Sequence, residues 1–268
     1  MENKTKKDII GLTAIILSVM PLKNANAENS FFKDIKGISL ECSISYPEYS
    51  EIKQANEEKN NQMRDYIPNW KNLPNPGALA MNGIVFRNKI PGIEKDKFFG
   101  KMNLDLIIGI SGGQSKARYD EEYNGDYKNI NSVETVSINE LKIGVEKNDR
   151  INDKLSYSIL LGFTSDEVDY TKSRTTTFSD SSSGKIETST VGMRFGNFLE
   201  IAGKYKIHKK FYIGAGIGIK KNNVNTFGTE KFTDYADSSN NYSSYKEINI
   251  GLNRAEGKLY AVYEFEGK

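Results

Sequence analysis

From residue 92 to residue 268 the chain has no proline, and along that stretch apolar side chains recur at every second position. Proline lacks the N–H that a β-ladder needs, so a proline-free run of this length suits long paired strands. A period of two sends successive side chains to opposite faces of a strand and cannot line one face of a helix. The clearest run sets Leu155, Tyr157, Ile159, Leu161 and Phe163 against Ser156, Ser158, Leu160, Gly162 and Thr164. The pattern returns at 199–207 and 211–219, and in shorter form at 104–110, 141–145, 248–252 and 259–265. Near the N-terminus Ile38, Leu40, Cys42, Ile44 and Tyr46 alternate with Ser39, Glu41, Ser43 and Ser45, and 83–87 reads as a further short strand. The chain is read as all-β and antiparallel.

Alternation does not say whether the apolar face points in or out, but other features favour outward. Opposite the apolar face stand charges of both signs, Asp105, Glu140, Lys142, Glu200, Lys204, Lys206, Glu247 and Glu264, as suits a lumen closed by ion pairs. Gly214, Gly216 and Gly218 lie on that polar face, where a tightly curved strand is crowded inside a small barrel. Short connections (88–97, 147–153, 208–210, 253–257) alternate with long polar ones (47–79, 112–132, 171–185, 221–243), the loop pattern of a transmembrane barrel. Tyr157, Tyr205, Phe211 and Tyr263 fall near the short turns, where an interfacial aromatic girdle belongs. No apolar run reaches the ~18 residues of a spanning helix.

The N-terminus carries an export signal. Lys4, Lys6 and Lys7 precede an apolar run over 9–20 that Pro21 breaks, and Ala25 and Ala27 supply the small residues that precede a cleavage point at Glu28. Cleavage after Ala27 leaves 241 residues with 33 basic and 33 acidic side chains, so the excess charge belongs to the signal. A neutral mature chain offers no electrostatic basis for nucleic-acid binding.

An exported chain of alternating strands, with Gly214-x-Gly216-x-Gly218 after a tight turn and a last strand over 259–265, resembles the small outer-membrane β-barrel proteins of Gram-negative bacteria, the opacity-type and OmpA-like surface antigens. The resemblance covers about 101–268 and is one of pattern. It implies an antiparallel up-and-down transmembrane β-barrel of eight to ten strands in the outer membrane, in contact with lipid and lipopolysaccharide and delivered by the barrel-assembly machinery. The expected organisation is a signal at 1–27, an N-terminal segment at 28–100 with one or two strands and a long Pro-containing loop, and the barrel at 101–268. The family ends on an aromatic residue, whereas here Phe265 is followed by Glu266, Gly267 and Lys268. Nine strands are counted, at 38–46, 83–87, 98–111, 133–146, 154–170, 186–207, 211–220, 244–252 and 258–266. An odd number puts the C-terminus on the outer side, against the family pattern, and the miscount is expected within 28–100.

No catalytic constellation stands out. His208, the one histidine, sits in a turn without a nucleophile or an orienting acid beside it in sequence. Asp166, Glu167 and Asp169, like Asp120, Glu121 and Glu122, lack calcium-loop spacing. The run 111–116 lacks the spacing of a phosphate loop and reads as a strand end. Cys42, on the apolar face of its strand, reads as a packed or lipid-facing thiol. No cofactor, metal site or catalytic residue is therefore expected. The expectation is a non-enzymatic surface barrel acting in envelope integrity or surface interaction, with its long loops open to an extracellular partner. The alternative is a soluble periplasmic or secreted barrel holding a small apolar ligand, in which the same apolar residues face inward.

Overall fold

The computed structural model describes residues 35–67, 69–90 and 104–265. The signal 1–27, its cleavage residues Ala25, Ala27 and Glu28, and the first part of the expected 98–111 strand lie outside the described residues. The chain runs β1 (Ile35–Ser45), α1 (Ser50–Tyr66), β2 (Leu79–Lys89), β3 (Leu104–Glu122), β4 (Tyr127–Arg150), β5 (Leu155–Phe178), β6 (Ser183–His208), β7 (Phe211–Lys221), β8 (Asn223–Asp234), β9 (Tyr242–Gly251) and β10 (Arg254–Glu264).

These ten segments build eight staves. Along β6 the pairs Asn197↔Lys221 and Val191↔Phe227 keep one register, so β7 and β8 form a single stave interrupted at Asn222. Opposite it, Arg254↔Lys220 and Asn223↔Gly251 likewise make β9 and β10 one stave. All pairings are antiparallel, and the ring closes through β1 with β10 and β5 with β6. The ninth strand of the sequence reading thus comes from 253–257, where Asn253 and Gly257 resemble a turn while the strand continues, and not from 28–100. Strands from that N-terminal segment are staves of the same barrel, so no boundary at 101 divides the described residues.

Partners followed once round the ring lead from Leu155 through Tyr205, Ile213, Ala261, Leu40, Ile84, Ile110 and Leu141 back to Ser165, ten residues up the same strand. That displacement, at ~3.3 Å per residue across eight strands ~4.8 Å apart, tilts the strands by about 40°. An eight-stranded barrel at this tilt is narrow enough for side chains to fill.

The barrel has two zones of opposite sidedness. In the lower zone the apolar faces point outward: Phe163, Ile217 and Leu259 are 70%, 71% and 67% exposed, whereas Glu140, Lys142, Glu146 and Glu200 are buried inside. On β7 this outer belt runs from Phe211 to Ile219, roughly 20 Å high along the tilted strand, close to the apolar band of a membrane barrel. Tyr157, Tyr205, Phe211 and Tyr263 stand exposed at its lower edge, and Cys42 is exposed on β1. Above the belt the pattern inverts. Asn139, Ser137 and Thr135 face outward on β4 while Ile138 and Val136 are buried inside.

The expected long loops are mostly strand. β3 and β4 meet at a turn over 123–126, and β5 and β6 at a turn over 179–182. Their Thr- and Ser-rich upper parts pair throughout, for example Thr135↔Thr171 and Thr171↔Ser189. β-Branched threonine fits a pleated surface, and a wall standing in water needs no apolar outer face. Of the four expected long loops, 46–78 remains a long connection, and α1 belongs to it. Within the expected loop, α1 is a stopper: Ile52, Asn56, Asn60 and Met63, spaced by four, four and three residues, are its buried face.

Candidate functional site

The lower lumen is crossed by a continuous charge network. Glu146, with no solvent exposure, accepts from Arg87 Nε at 2.5 Å and from Lys204 Nζ. Lys204 also donates to Asn148 Oδ1 at 2.7 Å, and Asn148 donates to Asp105, which Lys36 meets at 2.9 Å. One layer higher, Glu41 and Glu200 share Lys142 (3.1 and 3.4 Å) and Lys258 (3.6 and 2.5 Å). Above them Glu140 and Glu256 hold Lys220 and Arg254, with Arg254 at 2.9 and 2.8 Å. Buried charges tolerate loss of water only when paired and hydrogen-bonded, and here Glu41, Glu140, Glu146 and Glu200 each lie between cations from other staves, while Glu256 is held by Lys220 of β7 and by Arg254 of its own strand.

Glycine makes room for this filling. The Tyr260 ring lies across β7 at Gly214, where an added Cβ would come within 2.3 Å of it, and its hydroxyl donates to Gly203 O at 2.9 Å. Two internal voids, both lined by Glu41 and Lys258, one also by Glu200 and the other by Lys142, measure about 10 Å³ each, room for roughly one water apiece.

The upper lumen is closed differently. Tyr49 and Ile52 pack with Leu79, Met81, Val136, Ile138, Val168, Ile250 and Leu252 in an apolar core. Glu51 accepts from Asn249 N at 2.6 Å, and Tyr49 N donates to Gly251 O at 3.2 Å, which binds the start of α1 to the free edge of β9. Asn56 donates to Glu134 at 3.2 Å, and Glu134 also meets Lys172. Asn60 Oδ1 accepts from Trp70 Nε1 at 3.0 Å and Leu73 N at 2.8 Å. Trp70 stands 5.5 Å from both Tyr119 and Tyr123, so the irregular stretch after α1 is fixed to β3.

Of the charges expected in the lumen, Asp105, Glu140, Lys142, Glu200 and Lys204 are there. Glu247 is not: it is exposed on β9, paired with Phe227 above the belt, where sidedness has reversed. Arg87, Glu146, Arg254, Glu256 and Lys258 are lumen charges beyond those expected, and their strand parity marks them as inward once their strands are known. His208 is exposed at the end of β6, paired with Phe211. Asp166 is buried inside with Asn222 Nδ2 at 2.8 Å, whereas Glu167 and Asp169 are exposed on the other face. Glu121 binds Lys71 at 2.8 Å, and 111–116 lies within β3. Among the described residues no group of three or more His, Cys, Asp or Glu side chains could hold a metal ion.

The geometry defines an antiparallel transmembrane β-barrel. An outward apolar belt around a charged, filled lumen is the reverse of a soluble ligand-binding barrel, and the upper apolar interior is occupied by the chain's own α1. The described residues show no sign of the expected alternative, a soluble barrel with an inward apolar cavity. No family model and no curated relative matches the chain. Among solved structures it is similar to Ail, the attachment invasion locus protein of Yersinia pestis, at 12% identity over 87% of this chain and 99% of that one, TM-score 0.34. It is also similar to a major outer membrane protein from Thermus thermophilus (11%, 85% and 98%, TM-score 0.44). A third is the outer membrane protein OprG from Pseudomonas aeruginosa (9%, 87% and 97%, TM-score 0.42). At these scores the assignment to a membrane barrel rests on the chain's own geometry.

Proposed function

We propose that this chain is a non-enzymatic outer-membrane barrel of a Gram-negative envelope, serving envelope integrity or surface interaction. The observation that carries the reading is the double closure of the lumen, by ion pairs within the belt and by α1 with its apolar core above it. A barrel closed twice conducts nothing, and what it offers outside is the raised wall of β3 to β9. That wall, rather than mobile loops, is the surface for an extracellular partner. Lipopolysaccharide surrounds it, and the barrel-assembly machinery inserts it.

Separation of cell membranes followed by electrophoresis with and without boiling is expected to give an outer-membrane band that shifts on heating. A soluble band that ignores boiling would overturn the reading. Reconstituted liposomes containing the protein are expected to swell in sugar solutions no faster than empty ones, and fast swelling would make it a channel. The mature chain is expected to begin at Glu28, as mass spectrometry of its N-terminal peptide would show.

A further inference from the structure

Above the belt the outer wall is polar on β3 and β4, but one line of it is not. β6 presents Phe195, Met193 and Val191, which are 73%, 68% and 49% exposed, above its membrane-facing Ile201 and Leu199 and separated from them by Asn197. Val191 pairs across to Phe227 on β8, and Phe227 stacks at 6.3 Å on Tyr245 of β9. On the strand tilt, Phe195 to Val191 stand roughly 10 to 20 Å above Leu199, beyond the acyl chains that cover the belt. Carboxylates flank the line on the β5 side, Glu167 opposite Met193 and Asp169 opposite Val191, which is poor company for a lipid tail. On the other side β6 and the β7–β8 stave part around Asn222. There Arg194 is exposed at the gap, its Nη1 donating to Asn223 O at 3.1 Å. Exposed apolar ridges with polar rims of this kind mark protein contacts.

We infer that this ridge is the seam of a homodimer, in which a second copy sits alongside in the same membrane about a two-fold axis along the membrane normal, next to Met193. The inference rests on the membrane reading above. A lateral partner must carry an apolar surface that continues from its own belt to the same height, and a second copy does so by symmetry. Two surfaces facing each other across a two-fold exchange left and right, so Arg194 of one copy meets the Glu167 and Asp169 side of the other. The strands, each tilted about 40°, then cross near Met193, with Phe195 and Val191 on either side of the crossing.

The test uses the full chain with Cys42→Ser, reconstituted in lipid at a low protein-to-lipid ratio. Met193→Cys is expected to give a disulfide-linked dimer on mild oxidation, while Gln114→Cys and Ser137→Cys on the polar wall stay monomeric. In the Cys42→Ser chain, Met193→Glu is expected to weaken dimerisation at least ~10-fold by native mass spectrometry or single-molecule counting. The heat shift of every variant is read in parallel, so a loss of barrel structure is distinguished from a loss of pairing. A heat-shifting Met193→Cys chain that stays monomeric overturns the dimer, whether the introduced thiol reacts with an aqueous maleimide or is shielded by lipopolysaccharide. Equal cross-linking at 114 or 137 also overturns it, since it would report collision. If no chain shifts on heating, the membrane reading itself fails.

Discussion

Glu146→Ala is expected to lower the unfolding free energy of the reconstituted barrel by about 3–5 kcal/mol, the cost of stranding buried cations. Glu146 is enclosed between Arg87 and Lys204, and all three are buried in the lumen. Without the carboxylate, Arg87 keeps only a 3.9 Å contact with Glu41, and Lys204 keeps Asn148. Two positive charges then share a site that water barely enters. The same change in the exposed Lys71–Glu121 pair, as Lys71→Ala, should cost less than ~1 kcal/mol. Urea titration of the folded, unboiled band measures both. A Glu146→Ala cost no larger than that of Lys71→Ala would mean that the lumen is wet and the network dispensable.

The second large effect concerns the outer face. Ile217 stands outward within the belt, and Ile217→Arg is expected to cost about 2–4 kcal/mol on transfer into bilayers, with a matching loss of inserted protein. Thr135→Arg, also outward but on the raised wall, should fold as the unaltered chain does. The pair separates the membrane boundary from a general sensitivity to added charge. Equal effects at the two positions would place that boundary elsewhere.

The alternation at 211–219 made both the strand and its faces legible, because a membrane-facing strand must be apolar at every second position and free to be anything on the other. Three parts of the fold escaped the same reasoning. Residues 171–185 looked like a solvated loop because a wall in water carries Thr, Ser and Lys outside, and its inward side there is polar as well, with Lys172 and Arg174. The break at 253–257 looked like a turn because Asn and Gly serve turns, yet here the register is kept across Leu252 and Asn253, and Arg254 to Gly257 pair with β7. The stopper α1 was hidden since half of its buried face is Asn56 and Asn60, which bind Glu134, Trp70 and Leu73 instead of packing as hydrocarbon. The network was foreseeable as charge inside a lumen. Its pairings were not, since Glu146 finds Arg87 and Lys204 59 and 58 residues away, through a ring closure that local pattern does not encode.

The closing seam sets an order on how the molecule can come into being. β1 pairs with β10, and Gly37 meets Glu264 across 226 residues of intervening chain. A contact of that separation is among the slowest to form. Until it does, Glu41 cannot complete its bonds to Lys258, and every stave's charges face an open trough. An unfinished barrel is therefore unstable in a membrane as well as incomplete. The earliest strand must be held apart, its edge guarded, until the final one arrives to receive it.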